Sequence, residues 1–375
     1  MWSGTFYSIM VGTIIQLFGR DLLHLTKLTR DELADSFDIQ KLVTQPHRVN
    51  MDLLTLVAWC LIIGILYILS LLALKFTTIR VVIVTLTFLP IALMLAFFIF
   101  RIPQLRDESH KTEFFTKWKV GGHRGSSHDG IPENSLEAFS AVKAEGGQLA
   151  EMDIQITADG VPVICHDSNT VRVTGVDKDI STMNISEFRD LRFIGTNVSL
   201  PTFEEAVAHC VANGLMMIWD VKNVDENLLK QFVIQMKTHN LYSKVLVSGF
   251  NPIDTYKVKL ADSKILTGFT WRSWELSTTD ESATVPRFSG ALNAIAQVLD
   301  VICFGLARSL LMPKFLGSDV IFYHVNDVSS YLKADAAANN IYLAAWTSNN
   351  AKEQGWLRDF LNVPFITDNV GLVPR

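Results

Sequence analysis

Residues 119–167 read KVGGHRGSSHDGIPENSLEAFSAVKAEGGQLAEMDIQITADGVPVICHD, and this stretch decides the fold. Three short apolar runs in it each end in polar residues able to do chemistry. The first stops at His123-Arg124-Gly125, the second carries Glu151 and Asp153, and the third, Val161 to Cys165, delivers His166 and Asp167. Between the first two lies a helix signal: Glu133-Asn134-Ser135 with Asn134 as the expected cap, then Leu136, Phe139 and Val142 at helical spacing. Alternate residues of a strand share a face, so Glu151 and Asp153 point the same way. Two carboxylates so placed repel unless a cation lies between them or one is protonated. Hard oxygen ligands suit Mg²⁺ or Ca²⁺. Two histidines supply a general base and a general acid near neutral pH, and Arg124 can grip a phosphate through parallel hydrogen bonds. Together these residues imply a site for phosphoryl transfer.

Outward from this stretch, apolar strand-like runs alternate with helical patterns. Candidate strands are 119–123, 149–156, 161–166, 215–221, 245–249, 265–271, 319–324, 341–347 and 363–367; helical patterns include 201–213, 225–239, 327–339 and 350–362. Alternation over about 255 residues matches an α/β fold, a (β/α)₈ TIM-type barrel occupying 119–375. Nine candidates compete for eight places, and the sequence does not say which one is outside. In such a barrel the site gathers at the C-terminal strand ends, where His123, Glu151 and Asp153, His166, Asp220 and Lys222, and Trp346 fall.

One insertion, 272–318, breaks the rhythm. Within it Ala291 to Met312 is apolar at helical spacing, with a narrow polar stripe of Asn293, Gln297, Asp300 and Arg308. Two readings stand: a helix covering the barrel, or one dipping into a membrane beside its mouth. A true span is disfavoured by Asp300 and Arg308.

Before the barrel the composition changes. Leu53 to Leu74 is 22 residues without a charge and Val81 to Phe100 another 20, each long enough to cross a bilayer. They read as a transmembrane helical hairpin, with Pro90 tolerated in the second. Residues 1–52 form an N-terminal segment whose first 18, uncharged but rich in small polar residues, read first as an interfacial helix and second as a span. Residues 101–118 read as a linker. Basic residues flank the hairpin on both sides, Lys41 and Arg48 before it and five more between Arg101 and Lys119, which favours a cytosolic barrel. The triplets Asn184-Ile-Ser186 and Asn197-Val-Ser199 are glycosylation sequons and point the other way. The net charge of −5 gives no sign of nucleic-acid binding. Cys60, Cys165, Cys210 and Cys303 have neither zinc-site nor disulfide spacing and read as buried thiols.

The ordered motifs resemble the glycerophosphodiester phosphodiesterase signature: His123-Arg124-Gly125, Pro132-Glu133-Asn134, Glu151-x-Asp153, then Thr157-x-Asp159-Gly160-x-Pro162-Val163-x-x-His166-Asp167. The run His-Arg-Gly-x-Ser-His-Asp is similar to that of the membrane-bound animal branch, which acts on glycerophosphoinositol and lysophospholipids. The resemblance spans roughly 119–370. It implies His123 and His166 as the acid/base pair, and Glu151, Asp153 and a third carboxylate as ligands of Mg²⁺ or Ca²⁺. Asp220 is the candidate for the third, where the family usually has Glu. It implies Arg124 and Lys222 on the phosphate and Trp346 against the glycerol, with core packing as the alternative for Trp346. Glu133 is a further ligand or a support behind the ligands; His128 is solvated or supports from behind. The expected activity is metal-dependent hydrolysis of glycerophosphodiesters at a membrane (endomembrane or plasma membrane), glycerophosphoinositol being the favoured substrate. The alternatives are lysophospholipase D action on lyso-N-acylphosphatidylethanolamine or lysophosphatidylcholine, and an inactive membrane receptor or scaffold. The branch is expected to face the lumen or exterior.

Overall fold

The computed structural model describes residues 77–104 and 108–374. The chain divides into two compact units, 1–95 and 96–375. The described part of the first is the helix α1, Thr77–Phe100, which continues into the second. It contains the expected span 81–100, carries Pro90 within it, and exposes Leu86, Leu89 and Leu93. The segment 1–52 and the expected span 53–74 lie outside the described residues.

The second unit is a closed barrel. Its strands are β1 (Val120–Gly122), β2 (Leu149–Ile156), β3 (Pro162–Ile164), β4 (Met216–Val221), β5 (Val245–Gly249), β6 (Leu266–Trp271), β7 (Val320–His324), β8 (Tyr342–Trp346) and β9 (Phe365–Thr367). All but β3 pair in parallel, and the β1–β2 pairing closes the ring. β3 lies outside it, antiparallel to β2. The reason is chain length: only residues 157–161 separate β2 from β3, too few for a parallel crossover, so a hairpin forms. The Thr157-Ala-Asp-Gly160 sequence makes the turn, with Gly160 N–H donating to Thr157 O at 2.9 Å and the Thr157 hydroxyl to Asp159 Oδ1 at 2.6 Å.

The helices are α2 (Ser109–Lys117), α3 (Leu136–Ala144), α4 (Val171–Thr174), α5 (Ile185–Arg189), α6 (Phe203–Ala212), α7 (Glu226–Thr238), α8 (Pro252–Ala261), α9 (Gly290–Arg308), α10 (Leu311–Leu316), α11 (Ser330–Ala338) and α12 (Ala351–Gly355). Side-chain oxygens of Thr202, Asp225 and Ser329 cap α6, α7 and α11. Strand alternation then builds two cores. Ile218 faces the barrel interior with Leu246, Leu266, Val320 and Phe322. Its neighbour Trp219 faces the helix layer, edge-on to Phe203 and tilted against Phe232.

The stretch 101–118, read from sequence as a linker, contains α2. Phe114, Phe115 and Trp118 from it join the interior core with Leu149 and Met216, at the starts of β2 and β4. The apolar spacing of that short helix thus plugs one end of the barrel, and the chemistry is left to the other. The insertion 272–318 sits between β6 and β7 and holds α9 and α10.

Candidate active site

Strand register assembles the acidic cluster. Asp153 on β2 is directly beside Asp220 on β4, and Glu151, two residues back, shares the face of Asp153. Oxygens of Glu151, Asp153 and Asp220 all lie within 4.8 Å of one another, and the three residues are buried. Lys222 reaches into the group, with Nζ 2.7 Å from Asp153 Oδ1 and 2.5 Å from Asp220 Oδ2. Asp153 is held far below the ordinary carboxylate range: burial opposes this, but Lys222, with His166 and Arg124, outweighs it. Glu151 has no such ammonium. Burial, with the Asp153 charge beside it, pushes Glu151 up to about 8. One ammonium against three all-oxygen carboxylates, one of them driven toward protonation, is a donor set that fits a hard divalent cation.

The His-Arg-Gly motif is a tight turn after β1. Arg124 adopts φ 56° and its N–H donates to Glu151 Oε2 at 2.7 Å. Gly125 follows at φ 84°, where an added Cβ would sit 2.6 Å from Cβ of Ala138, so the turn packs directly on α3. The Arg124 side chain lies between two acids, with Nη1 3.1 Å from Glu133 Oε1 and Nε 3.5 Å from Asp153 Oδ2.

Asn134 departs from the sequence expectation. Ser135, not Asn134, caps α3 by accepting from Ala138 N–H at 3.0 Å. Asn134, buried and at φ 55°, turns inward instead. Its Nδ2 donates to Asp153 Oδ2 at 2.8 Å, and its Oδ1 accepts from Asp153 N–H at 3.2 Å. It therefore fixes the orientation of a carboxylate. Glu133 is taken up by guanidinium groups: Arg172 donates to both its oxygens at 2.9 and 2.7 Å, and Arg124 to one.

The two histidines arrive by different routes. His123 follows β1, its N–H donating to Thr367 O at 2.8 Å and its Nδ1 lying 2.7 Å from Asp368 Oδ1. Burial disfavours its charged form, but the Asp368 bond and the Glu151 charge outweigh this and hold His123 above the ordinary imidazole value. His166 comes from the outer strand β3 rather than from a barrel strand. The hairpin folds back so that Cys165 N–H donates to Asp153 O at 3.0 Å, which sets His166 beside the cluster. Its Nδ1 is 2.6 Å from Asp167 Oδ1, and burial holds it below the ordinary value.

His123, Arg124, Glu151, Asp153, His166, Asp220, Lys222 and Trp346 all line one cavity of about 340 Å³. Glu133 stands behind it. Trp346 closes one wall, with its indole N–H donating to Phe322 O at 3.0 Å and its ring edge-on to Phe250. The insertion supplies further lining: Arg272, Glu275, Thr279, Glu281 and Arg287. Arg272 Nε pairs with Glu275 Oε2 at 2.6 Å.

Sequence reasoning misses Asp368, Arg172 and that insertion wall. Asp368 had a signal, since it directly follows the last strand candidate, as His123 closes the first. Arg172 had none, because its partners Asp167 and Glu133 meet it only after the hairpin has formed.

Residues 123–372 match the model of the glycerophosphoryl diester phosphodiesterase family. Glycerophosphodiester phosphodiesterase 1 of Rattus norvegicus is 30% identical over 271 residues, covering 66% of this chain and 77% of the relative. The Homo sapiens protein of the same name is 29% identical over 261 residues, with the same coverage. A lysophospholipase D of Mus musculus is 36% identical over 94 residues, 25% of this chain and 28% of the relative. Among solved structures, an Oleispira antarctica phosphodiesterase in complex with the product sn-glycerol-3-phosphate superposes with a TM-score of 0.54 at 20% identity, covering 69% of this chain and 96% of that one. By the family match over most of the barrel, the chain belongs to the glycerophosphoryl diester phosphodiesterase family and is a glycerophosphodiester phosphodiesterase.

Proposed function

We propose that the chain is a membrane-anchored, metal-dependent enzyme that cleaves glycerophosphodiesters to glycerol 3-phosphate and an alcohol, with glycerophosphoinositol the favoured substrate. The carrying observation is the register that sets Asp153 beside Asp220, with Glu151 within reach, in a cavity that both histidines line. Glu151, Asp153 and Asp220 would hold Mg²⁺ or Ca²⁺, which supplies a Lewis acid for the phosphate oxygens and for a nucleophilic hydroxyl. Arg124 and Lys222 bind and orient the phosphate. Trp346 presents an apolar wall to the glycerol. Each histidine has its Nδ1 on a carboxylate, His123 on Asp368 and His166 on Asp167, which leaves Nε2 to exchange protons with substrate.

The glycerol hydroxyl attacks phosphorus in line; one histidine takes its proton, and the other protonates the departing alcohol oxygen as its bond to phosphorus breaks. Water then opens the cyclic glycerol phosphate. Direct attack by water is the competing route, and single-turnover ³¹P NMR separates the two by the presence of a cyclic phosphate signal.

A second reading keeps the site and changes the substrate to a lysophospholipid such as lyso-N-acylphosphatidylethanolamine or lysophosphatidylcholine. It is supported by the partial similarity to a lysophospholipase D and by the apolar helix Gly290–Arg308 next to the cavity wall. Turnover of glycerophosphoinositol and of a lysolipid in one preparation, with and without EDTA, decides. Turnover of both substrates undiminished in EDTA would overturn the metal-dependent reading. For anchoring, α1 would form one span and 53–74 the other, with membrane lipids as neighbours.

A further inference from the structure

We propose that α9 lies in the plane of the membrane, seated on lipid by its outer face, and holds the insertion wall of the catalytic cavity at the bilayer surface. The helix spans Gly290–Arg308, long and apolar enough to cross a membrane, yet it is fastened at its middle and at its end. Asp300, in its middle, is buried and accepts from Leu276 N–H and Ser277 N–H, both at 2.9 Å. Ala296 and Ala307 complete a buried face of small residues, and Arg308 at its end donates to the Ser329 hydroxyl at 3.3 Å. A helix so tied cannot leave the barrel to span.

Among the described residues the outward face has no partner. Leu292, Ile295, Val298, Leu299, Val301 and Ile302 are between 45% and 65% exposed. From Ala291 to Leu306 no charged side chain is exposed, and Gln297 is the one fully exposed polar residue. An apolar patch of that extent marks a docking surface. A protein-facing patch carries a polar rim and hydrogen-bonding groups. This one offers almost none, which favours hydrocarbon over a protein partner. Trp274, 44% exposed, lines a pocket together with Val301 and Phe304 of the helix, and tryptophan is a side chain enriched at lipid–water boundaries.

A second observation fixes the same source. The end of α1 is pinned to α8 and to α10, the short helix that follows α9. Tyr256 hydroxyl donates to Phe100 O at 2.7 Å, Ile102 N–H donates to Phe315 O at 3.0 Å, and the Phe97 and Phe315 rings meet at 5.9 Å. On the reading that α1 spans the bilayer, its exit point is one short helix from the exposed face of α9. The bonds from Asp300 to residues 276 and 277 then link the lipid surface to Glu275 and its partner Arg272 in the cavity wall.

The test uses the full chain in phosphatidylcholine vesicles doped with a diazirine-bearing phosphatidylcholine, with peptide mapping after photolysis. Adducts on the six outer residues are expected, together with adducts in 77–100. Adducts in 77–100 with none in 290–308 overturn the docking and leave the anchor reading standing. Adducts in 290–308 with none in 77–100 support the docking and sink the anchor. Cross-links from α9 to a second copy of the chain in place of lipid adducts also overturn it. In a second arm, the triple variant Leu292→Gln, Val298→Gln, Ile302→Gln should lose those adducts. It should turn over a vesicle-borne lysophospholipid about tenfold more slowly or worse, while a water-soluble glycerophosphodiester is cleaved at the unaltered rate. Equal rates on the vesicle-borne substrate would refute the proposal.

Discussion

Replacing Lys222 by methionine separates two roles that one ammonium plays. Its Nζ touches Asp153 and Asp220, whose side chains are 2% and 10% exposed. Removing one partner of a buried ion pair leaves the other uncompensated and costs about 3–5 kcal/mol. In a barrel of this size each kcal/mol moves Tm by about 2 °C. Lys222→Met should therefore unfold about 6–10 °C below the parent in EDTA. A cation held by the same carboxylates at a hundred times its Kd stabilises the native state by about 2.7 kcal/mol. In the variant that cation meets the full negative charge with no ammonium competing for it, so its contribution grows. The deficit should shrink to about half or less in saturating Mg²⁺. Activity should not return with stability: loss of a cationic contact to the phosphate costs about 10²- to 10³-fold in kcat.

The assay is thermal unfolding of the full chain in detergent micelles, followed by tryptophan fluorescence in EDTA and in Mg²⁺, with turnover measured on the same samples. An equal Tm deficit in both conditions refutes the reasoning, because the ammonium and a cation would then not share the same carboxylates. Recovery of turnover alongside Tm would remove Lys222 from phosphate binding while leaving its structural part intact.

Four further expectations can be checked directly. His166→Ala should lower turnover by at least about 10²-fold with Tm nearly unchanged; retained activity removes it from the reaction. Asp368→Asn should lower kcat more than it alters KM and move the pH–rate profile, since Asp368 acts through the His123 ring; an unmoved profile would reduce it to packing. Glu151→Gln should shift the Mg²⁺ titration of activity upward by about tenfold or more, and an unchanged titration argues against its being a ligand. His128 is held above its ordinary 6.5 by the Glu145 bond at 2.5 Å, with Asp129 adding to it. A raised imidazole stabilises fully below about 6.5 and loses that contribution as pH rises through the folded value, so the Tm gap between parent and His128→Ala should be larger at pH 6 than at pH 8.5. The gap is worth about 1 kcal/mol or less, and a larger gap at pH 8.5 would reverse the sign of the argument.

The parts of this molecule that were legible in the sequence share a physical cause. Alternation along a strand is local, so Glu151 and Asp153 could be put on one face before any partner strand was known. The barrel followed from the repeated exchange of two periodicities, and the ring of eight parallel strands has that pattern. What resisted reading depends on how separate segments meet. Asn134 looked like a helix cap because the helix begins two residues later, and only the approach of β2 reveals that its amide serves Asp153 instead.

His166 teaches the converse. It looked like a residue at the end of a barrel strand, yet β3 is outside the ring, because five residues cannot carry the chain across a parallel connection. The hairpin nonetheless places the imidazole where a barrel strand would have placed it, since β3 runs back along β2 and its last residues return to Asp153. A turn sequence rich in Thr, Asp and Gly therefore has a role in the site, not merely in the fold. It fixes the length of the hairpin, and a change of one residue there would put the opposite face of β3 toward Asp153 and carry His166 out of the cavity.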